Sequence, residues 1–161
     1  MNTHDNRRAL QIAVAVAALV PVGAGLAGVL IGPTFAGLGS QDSVAQATAS
    51  LAGISLDSHF RYLSGMLLAI GLVFWMVIPT IERRGALVRA LTLIVVIGGL
   101  GRLLSLFEVG EPGSLGMRLA LIMELVITPL ICLWQRRVEL QYLGPSRRPH
   151  PDSIFGASTF S

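Results

Sequence analysis

The sequence predicts an all-α, polytopic membrane protein: four transmembrane helices in one bundle, with both termini in the cytoplasm. Three observations predict it. The 161 residues are 53% hydrophobic and only 13% charged, with a mean hydropathy of +0.70, whereas a soluble domain carries about 25% charged residues. Four apolar runs follow one another, each near the ~20 residues that a helix needs to cross a ~30 Å hydrocarbon layer. The twelve basic residues are all arginine, and most of them gather beside alternate ends of those runs, where the positive-inside rule places cytoplasmic segments.

The first span, residues 9–31, holds no ionisable group and follows Arg7 and Arg8 in a short cytoplasmic segment, residues 1–8. It is long enough to cross with some tilt. A competing reading is a secretory signal, with Gly25-Leu26-Ala27 before a cut at Gly28 and a faint twin-arginine echo in Arg7-Arg8. The apolar run, however, continues to Ile31, past the usual length of about 7–15 residues for such a core. Ala24, Gly28 and Gly32 recur every fourth residue, a stripe that lets another helix approach closely, although membrane helices are rich in glycine in any case. Pro21 is expected to kink this helix.

Residues 33–56 form the longest connection, with Asp42 its only charge and no arginine, and are expected in the periplasm. Within it Val44, Ala47, Thr48 and Leu51 fall at helical spacing. They predict a short surface helix begun by Asp42 or Ser43 and ended by Gly53. The second span, residues 58–79, is introduced by Asp57-Ser58, either of which can cap the free amides of a first turn. It ends at Pro79-Thr80, and the basic turn Glu82-Arg83-Arg84-Gly85 belongs in the cytoplasm.

The third span, residues 87–107, is the one on which the topology turns. Only residues 90–101 are free of charge, too few to cross, so the full length requires Arg89 and Arg102 to snorkel toward opposite faces. Glu108, Glu111, Pro112 and Gly113 make an acidic outer turn, and Ser114 can cap the fourth span, residues 115–135. Trp134 suits the interfacial aromatic belt, and Gln135-Arg136-Arg137 marks the return to the cytoplasm. The membrane domain is therefore residues 9–137, and residues 138–161, lacking an apolar period, read as a disordered cytoplasmic tail.

These features narrow the function classes. The net charge of +3 and the pI near 10 are accounted for by topology, so nucleic acid is not an expected partner. Cys132 is the only cysteine, and His4, His59 and His150 are scattered, so no metal or haem site is expected. No nucleophile–base pair or phosphate-binding loop is visible, so neither an enzyme nor a bound cofactor is expected.

What remains is a polar intramembrane cluster: Asp57, Arg61, Arg102 and Glu124. At 1.5 Å per residue, Glu124 lies roughly 13 Å below the outer end of its helix, Arg102 roughly 7 Å and Arg61 roughly 4 Å. A lone carboxylate at that depth costs at least ~2.5 kcal/mol, so Glu124 needs a partner, and Arg102 is the best placed to bind it through both oxygens. Arg61 can pair with Asp57 one turn earlier. Ser64, Gly65 and Ala69 lie near Arg61. Gly98, Gly99, Gly101 and Ser105 lie near Arg102, Thr128 shares the face of Glu124, and Pro129 disturbs the backbone beside it. Such a site can be an ion pair that sets helix register, or a pocket for a lipid headgroup, a quinone or a small anion. It can also be a proton-coupled transporter titrating at Glu124. The reading is a small binding, accessory or structural protein of the bacterial inner membrane, with the lipid bilayer as its surroundings and a homo-oligomer possible through the small-residue stripe.

The stretches Asp57-Ser58-His59-Phe60-Arg61-Tyr62-Leu63-Ser64-Gly65, Gly98-Gly99-Leu100-Gly101-Arg102 and Met123-Glu124-Leu125 together resemble the short four-span bacterial proteins of the DUF4345 family, with a looser likeness to DoxX-type membrane proteins. The resemblance covers about Leu10 to Arg137. It implies a four-helix membrane fold and no particular activity, substrate or cofactor.

A reporter fused after Ser161 is expected to remain cytoplasmic. Periplasmic activity of an alkaline phosphatase fused at that point would overturn the predicted topology.

Overall fold

A computed structural model describes residues 3–36, 51–109 and 115–143. Each apolar run forms a helix, because residues without a competing polar side chain leave the backbone no alternative to its own hydrogen bonds in lipid. Helix α1 covers Thr3–Ile31 and passes into a 3-10 turn at Gly32–Ala36. Helix α2 covers Leu51–Val77 and tightens into a 3-10 turn at Ile78–Thr80, where Pro79 removes a backbone donor. Helix α3 covers Gly85–Val109. The fourth crossing consists of α4, Leu115–Ile122, a π-helical turn at Met123–Ile127, and α5, Thr128–Leu143. All four crossings are long and apolar enough to span a bilayer, and no strand occurs among the described residues. The chain is a multi-pass membrane protein.

The helices outrun the apolar runs. Helix α2 starts at Leu51, so residues 51–56 are helical instead of connecting loop. Gly53 lies inside it and does not end a surface helix, and Asp57 sits well within the helix instead of capping its start. The rest of the expected surface helix lies outside the described residues, as does Ser114. At the other extreme α5 continues to Leu143, so residues 138–143 belong to the bundle, with Val138 fully buried. The remainder of the expected tail is outside the described residues. The physical reason is the same in each case: hydropathy marks where the solvent is hydrocarbon, while hydrogen bonding and packing carry a helix further.

Lipid tails are as apolar as leucine, so helix association depends on close packing more than on the hydrophobic effect. Helices α1 and α2 supply it with glycine. A Cβ at Gly25 would come within 2.8 Å of the Leu68 backbone, and one at Gly28 would collide with Ser64. On the other helix a Cβ at Gly71 would come within 2.7 Å of Val22, beside Pro21. The first-span stripe is thus used inside the chain, between α1 and α2.

Helices α1 and α2 form one hairpin, α3 and the fourth crossing another, and α1 meets the second hairpin along α5. The most buried residues gather at the arginine-rich end: Leu10, Val14 and Ala18 with Phe74, Val77, Ile81, Val88, Leu91 and Val138. Elsewhere the spans expose Ile97, Leu100, Leu104, Leu119 and Ile122, a surface suited to lipid and not to water.

Polar side chains tie this end together. Gln11 Nε2 donates to the Ile78 carbonyl and Arg7 Nη2 to that of Pro79, both at 2.8 Å. They satisfy carbonyls that the end of a helix leaves without donors. Buried Gln135 donates to the Ile81 carbonyl at 2.9 Å. Trp134 Nε1 donates to Asn6 Oδ1 at 2.8 Å, and Asn6 in turn donates to Gln141 at 3.0 Å.

Arg7 Nε also pairs with Glu82 at 2.9 Å. Partial burial would raise the Glu82 pKa, but a backbone hydrogen bond, the Arg7 hydrogen bond and the charges of Arg7 and Arg83 outweigh it, and the pKa is lowered from 4.5. A lowered folded-state pKa contributes stability that is complete above the ordinary carboxylate value and is lost as pH falls through the lowered one. In detergent, the melting temperature of the wild type is therefore expected to fall more steeply on acidification through that window than that of Glu82→Gln. Parallel pH profiles for the two proteins would show that the Arg7–Glu82 pair contributes no pH-dependent stability.

Candidate functional site

The fourth crossing contains a proline that disturbs an α-helix where it would otherwise be uniform. Pro129 has no N–H to give the Leu125 carbonyl, and its ring crowds that carbonyl. The backbone responds by widening: the Thr128 N–H bonds the Met123 carbonyl five residues back, and Thr128 Oγ1 donates to the same oxygen at 2.8 Å. Such π turns appear often at functional sites. Glu124 lies within this one.

Across from it, Arg102 on α3 donates Nε to Glu124 Oε2 and Nη2 to Glu124 Oε1, both at 3.1 Å. The pair is the fork-on-carboxylate geometry that makes arginine a directional partner. Gly99 permits it. A Cβ there would lie 2.9 Å from Glu124 Cβ and 2.8 Å from Leu125 Cδ2, whereas Gly98 and Gly101 face open space. Of the three glycines before Arg102, one brings the helices together.

The pair is not sealed. Side-chain exposure is 35% for Arg102 and 16% for Glu124. A guanidinium has five N–H donors; two bind Glu124, and no other group among the described residues accepts from the remaining three.

Asp57 and Arg61 form a second, separate site. Arg61 Nε pairs with Asp57 Oδ2 at 2.9 Å, while Nη1 donates to the Val29 carbonyl at 2.6 Å. Arg61 thereby caps the end of α1, placing a cation where the helix dipole is negative. The chain leaves that helix through Gly32, whose φ of +78° disfavours a side chain and whose missing Cβ makes room for Arg61 Nη2. No hydrogen bond or ion pair joins the two sites among the described residues, so the four residues stand as two pairs on two hairpins.

Several polar contacts went unread in the sequence. Arg89 does not snorkel alone but pairs with Glu139 at 3.3 Å, and Gln135 lies 3.5 Å from the same carboxylate. Their signal was the i,i+4 spacing of Gln135 and Glu139 across the end of the fourth span, where a span count stops. Arg118 is exposed on α4. Thr92 Oγ1 and Gln135 Oε1 are buried without a hydrogen-bond partner among the described residues. No group of three or more His, Cys, Asp or Glu side chains that could hold a metal occurs among the described residues.

The family described as a domain of unknown function, DUF4345, matches residues 9–135. No curated protein and no solved structure matches the chain. The match agrees with the resemblance carried by the three sequence stretches, and nothing in it extends to DoxX-type proteins.

The Arg102–Glu124 pair predicts energetic coupling. Melting Arg102→Leu, Glu124→Gln and the double variant in detergent should give single-variant losses whose sum exceeds the double-variant loss by about 0.5–3 kcal/mol, the range for directly interacting residues. Additive losses would show that the observed contact carries no stability.

Proposed function

The chain belongs to the DUF4345 family, and we propose that it is a small membrane-embedded binding or accessory protein of the bacterial inner membrane whose polar site is Arg102. The observation that carries this reading is the half-used guanidinium. Glu124 neutralises it and fixes its plane, so that a charge costly in hydrocarbon is tolerated, yet three N–H donors stay turned away from the carboxylate. Donors in such surroundings require an acceptor. A lipid headgroup, a quinone carbonyl or a small anion supplies one, presented from the end of the bundle opposite the arginine-rich turn. With both termini in the cytoplasm, that end faces the periplasm.

Asp57 and Arg61 serve this function indirectly, by closing the α1–α2 hairpin. Proton-coupled transport through Glu124 requires that carboxylate to be reached from both faces, and both of its oxygens are held by Arg102. A binding role therefore draws more support than transport.

Mass spectrometry of small molecules and lipids retained by the purified full-length chain tests the proposal. The wild type is expected to carry an anionic lipid or a quinone that Arg102→Leu loses while remaining folded. Identical retained species in the two proteins would refute a binding role for Arg102.

A further inference from the structure

We propose that the groove between α1 and the fourth crossing is a second, independent lipid site, which takes one acyl chain of an anionic phospholipid whose phosphate lies against Arg137. The groove holds about 510 Å³. Ala13 and Ala17 hollow out its α1 wall, and the face from Met123 to Trp134 forms the other. Its depth follows from the helix: eleven residues separate Met123 from Trp134, a rise of ~16 Å. That matches the ~15 Å of hydrocarbon in one leaflet, half of the ~30 Å bilayer core.

The lining is almost wholly apolar, and its one polar group, the Trp134 indole N–H, already donates to Asn6. An alkyl chain fits such walls, whereas a polar ligand would leave its own groups without partners. The π turn shapes the deep end, since Met123 and Ile127 both belong to it. Trp134 stands at the mouth, held in place by Asn6, at the level where an indole ring meets headgroups.

The headgroup preference comes from charge. Arg137 lies about one helical turn beyond Trp134, is exposed, and has no acceptor among the described residues. The part-buried carboxylates of that end are taken, Glu82 by Arg7 and Glu139 by Arg89. A phosphodiester entering with its chain in the groove meets an unclaimed guanidinium, the geometry that arginine binds most strongly.

The test offers the full-length protein in mild detergent an equimolar mixture of palmitoyl-oleoyl phosphatidylglycerol and phosphatidylcholine, with retained lipid read by native mass spectrometry. The wild type should retain one phosphatidylglycerol in preference to phosphatidylcholine, and Arg137→Gln should lower that preference by about tenfold. Ala17→Leu, which fills the groove, should lower retention of both lipids, while Leu19→Phe, on the exposed face outside it, should not. The same differences should persist in an Arg102→Leu background, where no headgroup is held at Arg102, which separates failure here from failure of the Arg102 reading. Equal retention of the two lipids by wild type and Arg137→Gln would overturn the headgroup assignment. Undiminished retention in Ala17→Leu would overturn the groove. Should Ala17→Leu fail to fold, the selectivity of Arg137→Gln decides.

Discussion

Within hydrocarbon there is no water to complete a hydrogen bond, so every backbone carbonyl freed at a helix end and every charge along a span must find its partner in the protein. Most of this chain's architecture is a response to that constraint. Arg61 of α2 ends α1 by binding the Val29 carbonyl. Arg7 and Gln11 of α1 end α2 by binding those of Pro79 and Ile78. Each helix of the first hairpin is thus completed by side chains of the other, and glycines at positions 25, 28, 32 and 71 bring the two close enough for this to happen.

The second hairpin meets the same constraint differently. Pro129 removes a donor in the middle of a span, and the chain absorbs the loss by winding one turn as π helix, with the Thr128 hydroxyl adding a bond to the Met123 carbonyl. That turn contains Glu124, and across it Gly99 admits α3 closely enough for Arg102 to grip both carboxylate oxygens. One proline thereby links a backbone irregularity, an ion pair and the deep wall of the apolar groove. The same interaction that permits an arginine in a span uses two of its five N–H donors and leaves three without an acceptor among the described residues.

Much of this was legible from residue types. The four spans follow from lengths of uncharged sequence, the Asp57–Arg61 pair from i,i+4 spacing, and the Arg102–Glu124 pair from the cost of leaving either charge alone in lipid. The extents were not legible. Leu51 to Leu56 and Val138 to Leu143 are helical although they lie outside the apolar runs, since hydropathy reports the solvent and not the backbone. The capping role of Arg61 was hidden too, because its acceptors lie on a helix about 30 residues earlier and a carbonyl carries no residue-specific signal.

By itself, the sequence determined that the chain crosses a bilayer four times and that charges at Arg102 and Glu124 must be reconciled inside it, because an unpaired charge at that depth in hydrocarbon is costly. Only the tertiary structure decided which glycines are contacts, which arginines are caps and which retain free donors. Those properties depend on what stands opposite each residue, and a one-dimensional period cannot specify what lies across the gap between two helices.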